Sequence, residues 1–430
     1  MTNNDDDSRE MIADDPCTER ADQLLRMKKA PERVVAYAYS KEFVKYCHFF
    51  EKTAYRAPAV HSLIHSYGLL NSVKIIAARR ADPSELEAFH SKDYVRSLCC
   101  TSSREGHIDE AIEIEDVENG FEYDNPRRDG LSDYARFIAG TSIDCAKALI
   151  SGHCSVAINW GGGWHHASRS SASGFCYVND CVLAVLKLRT KFERVLHVDL
   201  DVHHGDAVQD AFEYSNKVMT VSLHRFEPGF YPGTGDVTER GLGNGRGFNI
   251  NVPYGPGLTD RQFISICDRV LPAVQGSFGA DAVVVQCGCD ALVGDDAGAC
   301  ALTAAAYKHA LSTILSWQTP LLLLGGGGYN AANTARCWTE LTALALGVQT
   351  PLDDDIPEHS HFSLYAPTFC LRINSTRMEN LNTENTIENS TQRALAVLNE
   401  RCATKWRLQQ EREESTEDSG GLPAVVVNQC

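Results

Sequence analysis

The sequence predicts an α/β fold in which helices wrap a mostly parallel sheet. Short apolar runs rich in β-branched residues alternate with segments of helical periodicity, the pattern of strands joined by helical crossovers. The runs at Val156, Val195, Val283 and Leu321 open directly into loops rich in Gly, Asp or His, and strand C-termini are where open α/β sheets build their sites. No internal repeat divides the chain.

Taken in order, residues 1–30 are polar and acidic without periodicity, and the tail 409–430 repeats that composition. Such segments bury too little apolar surface to fold and are expected to be disordered. The folded domain is expected over 31–408. Ser132 is the expected N-cap of a helix in which Tyr134, Phe137, Ile138, Thr141, Cys145, Ala148 and Leu149 recur at helical spacing. A strand at Val156-Ala157-Ile158 follows, then a glycine-rich turn with two histidines. Further strands are expected at Val195 to Leu200, Val283 to Gln286 and Leu321 to Leu324.

With 430 residues, 43% of them hydrophobic, the chain can bury a large core, and length alone permits one large domain or two. The net charge of −17 repels nucleic acid and attracts a basic partner such as a lysine-rich peptide. Sixteen cysteines are scattered, and the start MTNNDDDSRE lacks the basic flank and apolar run of a signal peptide. They read as reduced thiols of an intracellular protein. Cys287 and Cys289 have no second matching pair and read as small buried hydrophobes, not as thiolate metal ligands. No uninterrupted apolar stretch is long enough to span a membrane.

The segment from His197 to His203 reads as extended, which would alternate its side chains and point Asp199, Asp201 and His203 into one cleft. Carboxylates and an imidazole ending an apolar strand are costly to bury unless they bind something. One aspartate alone would be a turn former, but Asp-Leu-Asp-Val-His-His-Gly-Asp is a denser signal. Asp201 and His203 suit a divalent ion such as zinc. Asp290, arriving at the same sheet edge after Val283 to Gln286, is the candidate third ligand, with a fourth position open for water. Taken alone, Asp290 is equally a loop aspartate.

The turn from Trp160 to His166 sets two imidazoles on backbone that glycine lets approach a substrate. A surface His-His pair is usually inert. Here Asp199 and Asp206 remain after the metal ligands are assigned, and a carboxylate on the far ring nitrogen fixes the tautomer, as an acid/base pair requires. Leu321 to Leu324 lead through Gly325 to Gly328 into Tyr329, whose hydroxyl can polarise a carbonyl beside the metal. No Lys-Ser/Thr follows the glycines, so they are not a phosphate loop.

Together these stretches resemble the class I zinc-dependent histone deacetylases, most closely the histone deacetylase eight subgroup, over roughly Val34 to Glu400. The motifs that carry the resemblance are Asn159 to His166, Ser173 to Asp180, Val198 to Asp206, Pro232 to Asp236 and Tyr329 to Trp338. It implies a single three-layer, arginase-like α/β/α domain that hydrolyses acetyl-lysine in histones or other proteins, acting in chromatin and transcription regulation in the nucleus, the cytoplasm or both. Asp201, His203 and Asp290 match the zinc ligands. His166 backed by Asp206 matches the general base, His165 backed by Asp199 its partner, and Tyr329 the carbonyl-polarising tyrosine. The family's structural potassium ions match Asp199, Asp201, His203, Ser222 and Leu223 at one site and Phe212, Ser215, Val218 and Phe248 at a second. Asp124 matches the rim aspartate that holds the substrate backbone. Gly174, Phe175, Tyr231 and Gly327 match substrate-contacting positions.

The chain departs from the family pattern at three places. Tyr231 stands where phenylalanine is usual, Ala297 where Leu or Met lines the entrance, and Pro58 where some members carry a regulatory serine. Larger class I relatives also place arginines after the Gly-Asp turn and after the catalytic tyrosine; the matching residues here are Asp296 and Ala332. No inositol-phosphate-dependent corepressor is therefore expected, and the chain is expected to act as a monomer. The competing enzyme reading is an amidohydrolase of acetylpolyamines, which would need a narrowed entrance and an acidic gatekeeper; Ala297 argues against it and Asp296 keeps it open. The non-enzyme reading, an acyl-lysine-binding pseudoenzyme, is weak because every ligand, both relay aspartates and Tyr329 are present.

Overall fold

Eight apolar segments form the strands: β1 (Val35–Ala38), β2 (Lys74–Ile76), β3 (Val156–Asn159), β4 (Val195–Asp199), β5 (Val218–Arg225), β6 (Asn249–Tyr254), β7 (Ala282–Gln286) and β8 (Leu321–Leu324). They lie in the order β2-β1-β3-β8-β7-β4-β5-β6 with every ladder parallel. All eight C-termini therefore open on the same edge. The computed structural model describes residues 33–100 and 115–418. The segments 1–30 and 419–430, expected to be disordered, lie outside the described residues.

The main helices are α1 (Arg56–Ser66), α2 (Leu131–Ile150), α3 (Asp180–Leu188), α4 (Asp206–Phe212), α5 (Asp260–Phe278), α6 (Ala304–Ser316), α7 (Ala331–Ala345) and α8 (Glu384–Asp418). Period-two alternation sorts the strand side chains between two helical layers. Val35, Ile158, Val198, Val285 and Leu323 pack with buried residues of α1, α5, α6 and α7. Ala36, Ala157, Val284, Leu322 and Leu324 face the other way, onto α2, α3 and α4. This is the expected α/β/α sandwich, and the described residues from Val34 onward belong to one compact unit.

Two details differ from the sequence reading. The helix assigned to an N-cap at Ser132 starts at Leu131, after Gly130 at φ 83°. Glycine adopts that left-handed turn without a Cβ clash, and its carbonyl accepts the Tyr134 N–H at 2.9 Å, which leaves Ser132 inside the first turn. Helix α8 runs to Asp418, past the boundary expected at 408.

Candidate active site

The site forms where four adjacent strands, β3, β8, β7 and β4, release their chains. After β3, Asp180 at the start of α3 accepts hydrogen bonds from the Gly163 and Trp164 N–H groups, the latter at 2.8 Å. Asn179 donates to the carbonyls of His165 and Ala167 at 3.2 and 3.1 Å. These bonds fix the His165-His166 turn. Its glycines are needed for packing: a Cβ at Gly161 would lie 2.3 Å from Phe43, at Gly162 2.4 Å from Asp180, and at Gly163 2.5 Å from Gly325.

His165 Nδ1 lies 2.7 Å from Asp199 Oδ2, and His166 Nδ1 lies 2.8 Å from Asp206 Oδ1. The two rings are 4.0 Å apart. Burial opposes a charge on His165, but Asp199 and Asp201 outweigh it and raise the imidazole to about 9. Burial and the neighbouring His165 together push His166 down to about 4, although Asp206 pulls the other way. The surroundings thus shift the two rings in opposite directions, His165 up and His166 down.

After β4 the chain does not stay extended to His203, as the alternation argument required. Asp199 Oδ1 accepts the Asp201 N–H at 3.1 Å and Asp201 Oδ1 accepts the His203 N–H at 3.0 Å. Two successive side-chain turns of this kind bend the backbone, and the bend carries Asp201 and His203 to Asp290. His203 Nδ1 lies 3.1 Å from Asp201 Oδ1 and 3.0 Å from Asp290 Oδ2. Ligand atoms of the three residues fall within 4.8 Å of one another.

This donor set fits a divalent ion. Asp201 is 1% exposed and Asp290 0%, and two carboxylates that deep need a cation or a proton to offset their burial; burial, with Asp201 next, pushes Asp290 up to about 7. Their outer lone pairs are occupied: Asp201 Oδ2 accepts from Gln286 and from the Gly327 N–H at 2.8 Å each, and Asp290 Oδ1 accepts the Val202 N–H at 2.9 Å. Burial opposes a proton on His203, yet its hydrogen bonds to Asp201 and Asp290 raise it to about 10. A metal ion would displace that proton and take over its role.

Above the triad is a cleft of about 460 Å³ lined by Lys52, Asp124, His166, Gly174, Phe175, His203, Tyr231, Asp296, Ala297 and Tyr329. Burial, with Asp290 and Asp201 next, holds the Tyr329 phenol well above its usual value, so it stays a hydroxyl donor. Phe175 stands edge-on to Tyr329 at 5.8 Å and Tyr231 edge-on to His166 at 4.9 Å. Gly327 does not line this cleft. It packs beneath, where a Cβ would come within 2.0 Å of Asp290 Oδ2.

The histone deacetylase domain family matches residues 50–345. This chain belongs to the histone deacetylase family. It is thereby a hydrolase of the zinc-dependent lysine deacetylase class, and Asp201, His203 and Asp290 are its candidate zinc ligands. The deacetylase is 46% identical over 345 residues to histone deacetylase 8 of Danio rerio, covering 80% of this chain and 90% of that protein. The same protein of Xenopus tropicalis is 46% identical over 338 residues, 78% of this chain and 90% of the relative. Histone deacetylase 1 of Bos taurus is 37% identical over 371 residues, 86% of this chain and 76% of the relative. The higher identity to the type 8 proteins supports the expected subgroup.

Asp199 and Ser222, two of the residues matched to a first potassium ion, are register partners on β4 and β5. At the other set, the Phe212 and Phe248 carbonyls accept N–H groups from Ser215 and Thr220 at 2.8 and 2.9 Å. Cys287 and Cys289 are buried at 1% exposure each, as expected of small hydrophobes. Sequence reasoning missed Gln286, Asn179 and Asp180, whose roles rest on side-chain hydrogen bonds across the fold. It also missed Arg56, which donates to the Gly326 and Gly328 carbonyls at 2.9 Å each and so secures the loop before Tyr329.

Proposed function

We propose that this deacetylase hydrolyses N6-acetyl-lysine in histones or other proteins, with one zinc ion held by Asp201, His203 and Asp290. The observation that carries the reading is the pair of His–Asp contacts, 2.7 and 2.8 Å, beside a buried carboxylate–imidazole triad under a cleft that a phenol also lines. A zinc ion there supplies a Lewis acid and lowers the pKa of a nearby water.

The remaining steps belong to the chain. Neutral His166 takes a proton from the attacking water at Nε2, because Asp206 engages Nδ1. His165, kept protonated by Asp199, stabilises the negative charge that develops and donates a proton to the departing lysine amine. The Tyr329 hydroxyl donates to the acetyl carbonyl oxygen. Phe175 and Tyr231 flank the methylene chain, Gly174 leaves room between them, and Asp124 at the mouth accepts from the substrate backbone. Water and amide are consumed, acetate and lysine are released, and proton exchange with solvent returns His166 to its neutral and His165 to its charged form.

Potassium ions at Asp199, Asp201, His203, Ser222 and Leu223 would brace the loop that follows β4, and at Phe212, Ser215, Val218 and Phe248 the turn between α4 and β5. The free thiols of the described cysteines suit a reducing compartment, nuclear or cytoplasmic. Among the described residues no helix is long and apolar enough to cross a membrane. Metal analysis together with hydrolysis of an acetyl-lysine peptide beside acetylspermidine tests the proposal. One zinc per chain and a preference for the peptide are expected; a preference for acetylspermidine would favour the polyamine reading instead.

A further inference from the structure

The glycine loop that delivers Tyr329 does not fix the phenol unaided, since Gly326 and Gly328 sit at φ 131° and 122°. Chain of that kind has a wide choice of conformations. The carbonyls of this loop are held by Arg56 on one side. The N–H groups just beyond it are held by a carboxylate 34 residues away in sequence: Asp295 Oδ2 accepts from the Tyr329 N–H at 2.6 Å and from the Asn330 N–H at 2.9 Å. The other oxygen, Oδ1, accepts from the Ala297 N–H at 3.0 Å. Asp295 is 6% exposed, and its hydrogen bonds run to these backbone N–H groups and not to Asp201, His203 or Asp290. Its sequence neighbours Asp296 and Ala297 line the cleft.

We propose that Asp295 is a positioning residue for deacetylation: its carboxylate holds the Tyr329 backbone, and through it the phenol, in place against the acetyl carbonyl. The same side chain keeps the Ala297 rim in register with the tyrosine. A hydrogen bond between a carboxylate and a backbone N–H is stronger than one between neutral groups. An amide in its place must lose one of these bonds, since an NH₂ turned toward either set of donors accepts nothing. The inference rests on the reading of Tyr329 as the carbonyl-polarising group.

The experiment is a double-mutant cycle on an acetyl-lysine peptide. Asp295→Asn and Asp295→Ala are each made in the wild-type and Tyr329→Phe backgrounds, with zinc content and acetohydroxamate affinity measured beside kcat and KM. In the wild-type background both substitutions are expected to lower kcat between about tenfold and a hundredfold, the range a displaced catalytic group produces. KM, zinc content and acetohydroxamate affinity should stay near wild type. In the Tyr329→Phe background the same substitutions should leave kcat almost unchanged, because the phenol through which Asp295 acts is gone. Unchanged kcat in the wild-type background, an equal loss in both backgrounds, loss of zinc or chelator binding, or failure of both variants to fold would each overturn the proposal. Failure of the tyrosine reading shows separately, as wild-type turnover in Tyr329→Phe alone.

Discussion

The hydroxyls of Ser173 and Tyr231 meet at 2.6 Å. The phenol that replaces the family's usual phenylalanine thus ties its ring to the turn carrying Gly174 and Phe175. Tyr231→Phe and Ser173→Ala should each destabilise the fold by about 0.5–1 kcal/mol, the lower part of the range for a neutral hydrogen bond because both residues are partly exposed. The double variant should lose no more than the larger single loss. Denaturant unfolding of the three variants measures this, and fully additive losses would show that the bond contributes nothing.

The opposed basicities of the two histidines predict how each relay aspartate shapes the pH profile. Burial and His165 push His166 down, and Asp206 pulls it up. Removing that pull in Asp206→Asn should lower the basicity further, moving the acid limb of kcat/KM to lower pH as the overall rate falls. Asp199 is among the groups that raise His165. In Asp199→Asn the ring should lose its proton earlier, moving the alkaline limb to lower pH. A limb moving the opposite way in either variant would remove that pairing from the mechanism.

Metal binding and turnover should separate cleanly. Asp290→Ala or His203→Ala should lose zinc, because each removes one of three ligands. Tyr329→Phe should retain zinc and substrate binding yet turn over about a hundredfold more slowly, the usual cost of deleting one transition-state donor of about 3 kcal/mol. Metal analysis and steady-state kinetics on the same preparations decide the matter; zinc loss in Tyr329→Phe would be fatal to the division of roles.

Much of this site was legible in the sequence because apolar runs end in chemically unusual loops. Strands β3, β4, β7 and β8 could be placed from Val156, Val195, Val283 and Leu321, and they deliver the relay, the triad and the tyrosine. Strands β1 and β2 end in no such loop, and β5 and β6, although glycines follow both, deliver neither the relay, the triad nor Tyr329. The spacing of Asp199, Asp201 and His203 suggests one cleft by strand alternation, whereas two aspartate turns bend the segment and bring Asp201 and His203 to Asp290. Asp295 and Asn125 could not be found by pattern. Asp295 acts on N–H groups 34 and 35 residues away. Asn125 brackets the tunnel wall by accepting the Phe175 N–H at 3.1 Å and donating to the Cys176 carbonyl at 3.2 Å.

The entrance offers a fourth test. Ala297 lines the cleft beside the exposed Asp296, so the space a larger side chain would occupy is open to ligand. Ala297→Met should weaken bulky or branched zinc-chelating inhibitors and longer acyl substrates relative to linear ones. Competition binding with a matched bulky and linear pair reads the effect. An unchanged ratio would mean that the rim does not limit access.

Inositol phosphate should not activate this enzyme. Such an anion needs clustered guanidinium donors to offset desolvation of its charges. At the two positions where the larger class I relatives supply arginine, this chain has Asp296, exposed and negatively charged, and Ala332, partly buried against the core. Arg336, on the same helix as Ala332, is already committed to the Cys370 carbonyl at 2.8 Å and Asn333 Oδ1 at 2.9 Å. The net charge of −17 adds unfavourable steering. Purified chain should therefore deacetylate a peptide at the same rate with and without added inositol hexakisphosphate. Activity that is absent alone and restored by that anion would require a basic site that Asp296 and Ala332 cannot provide.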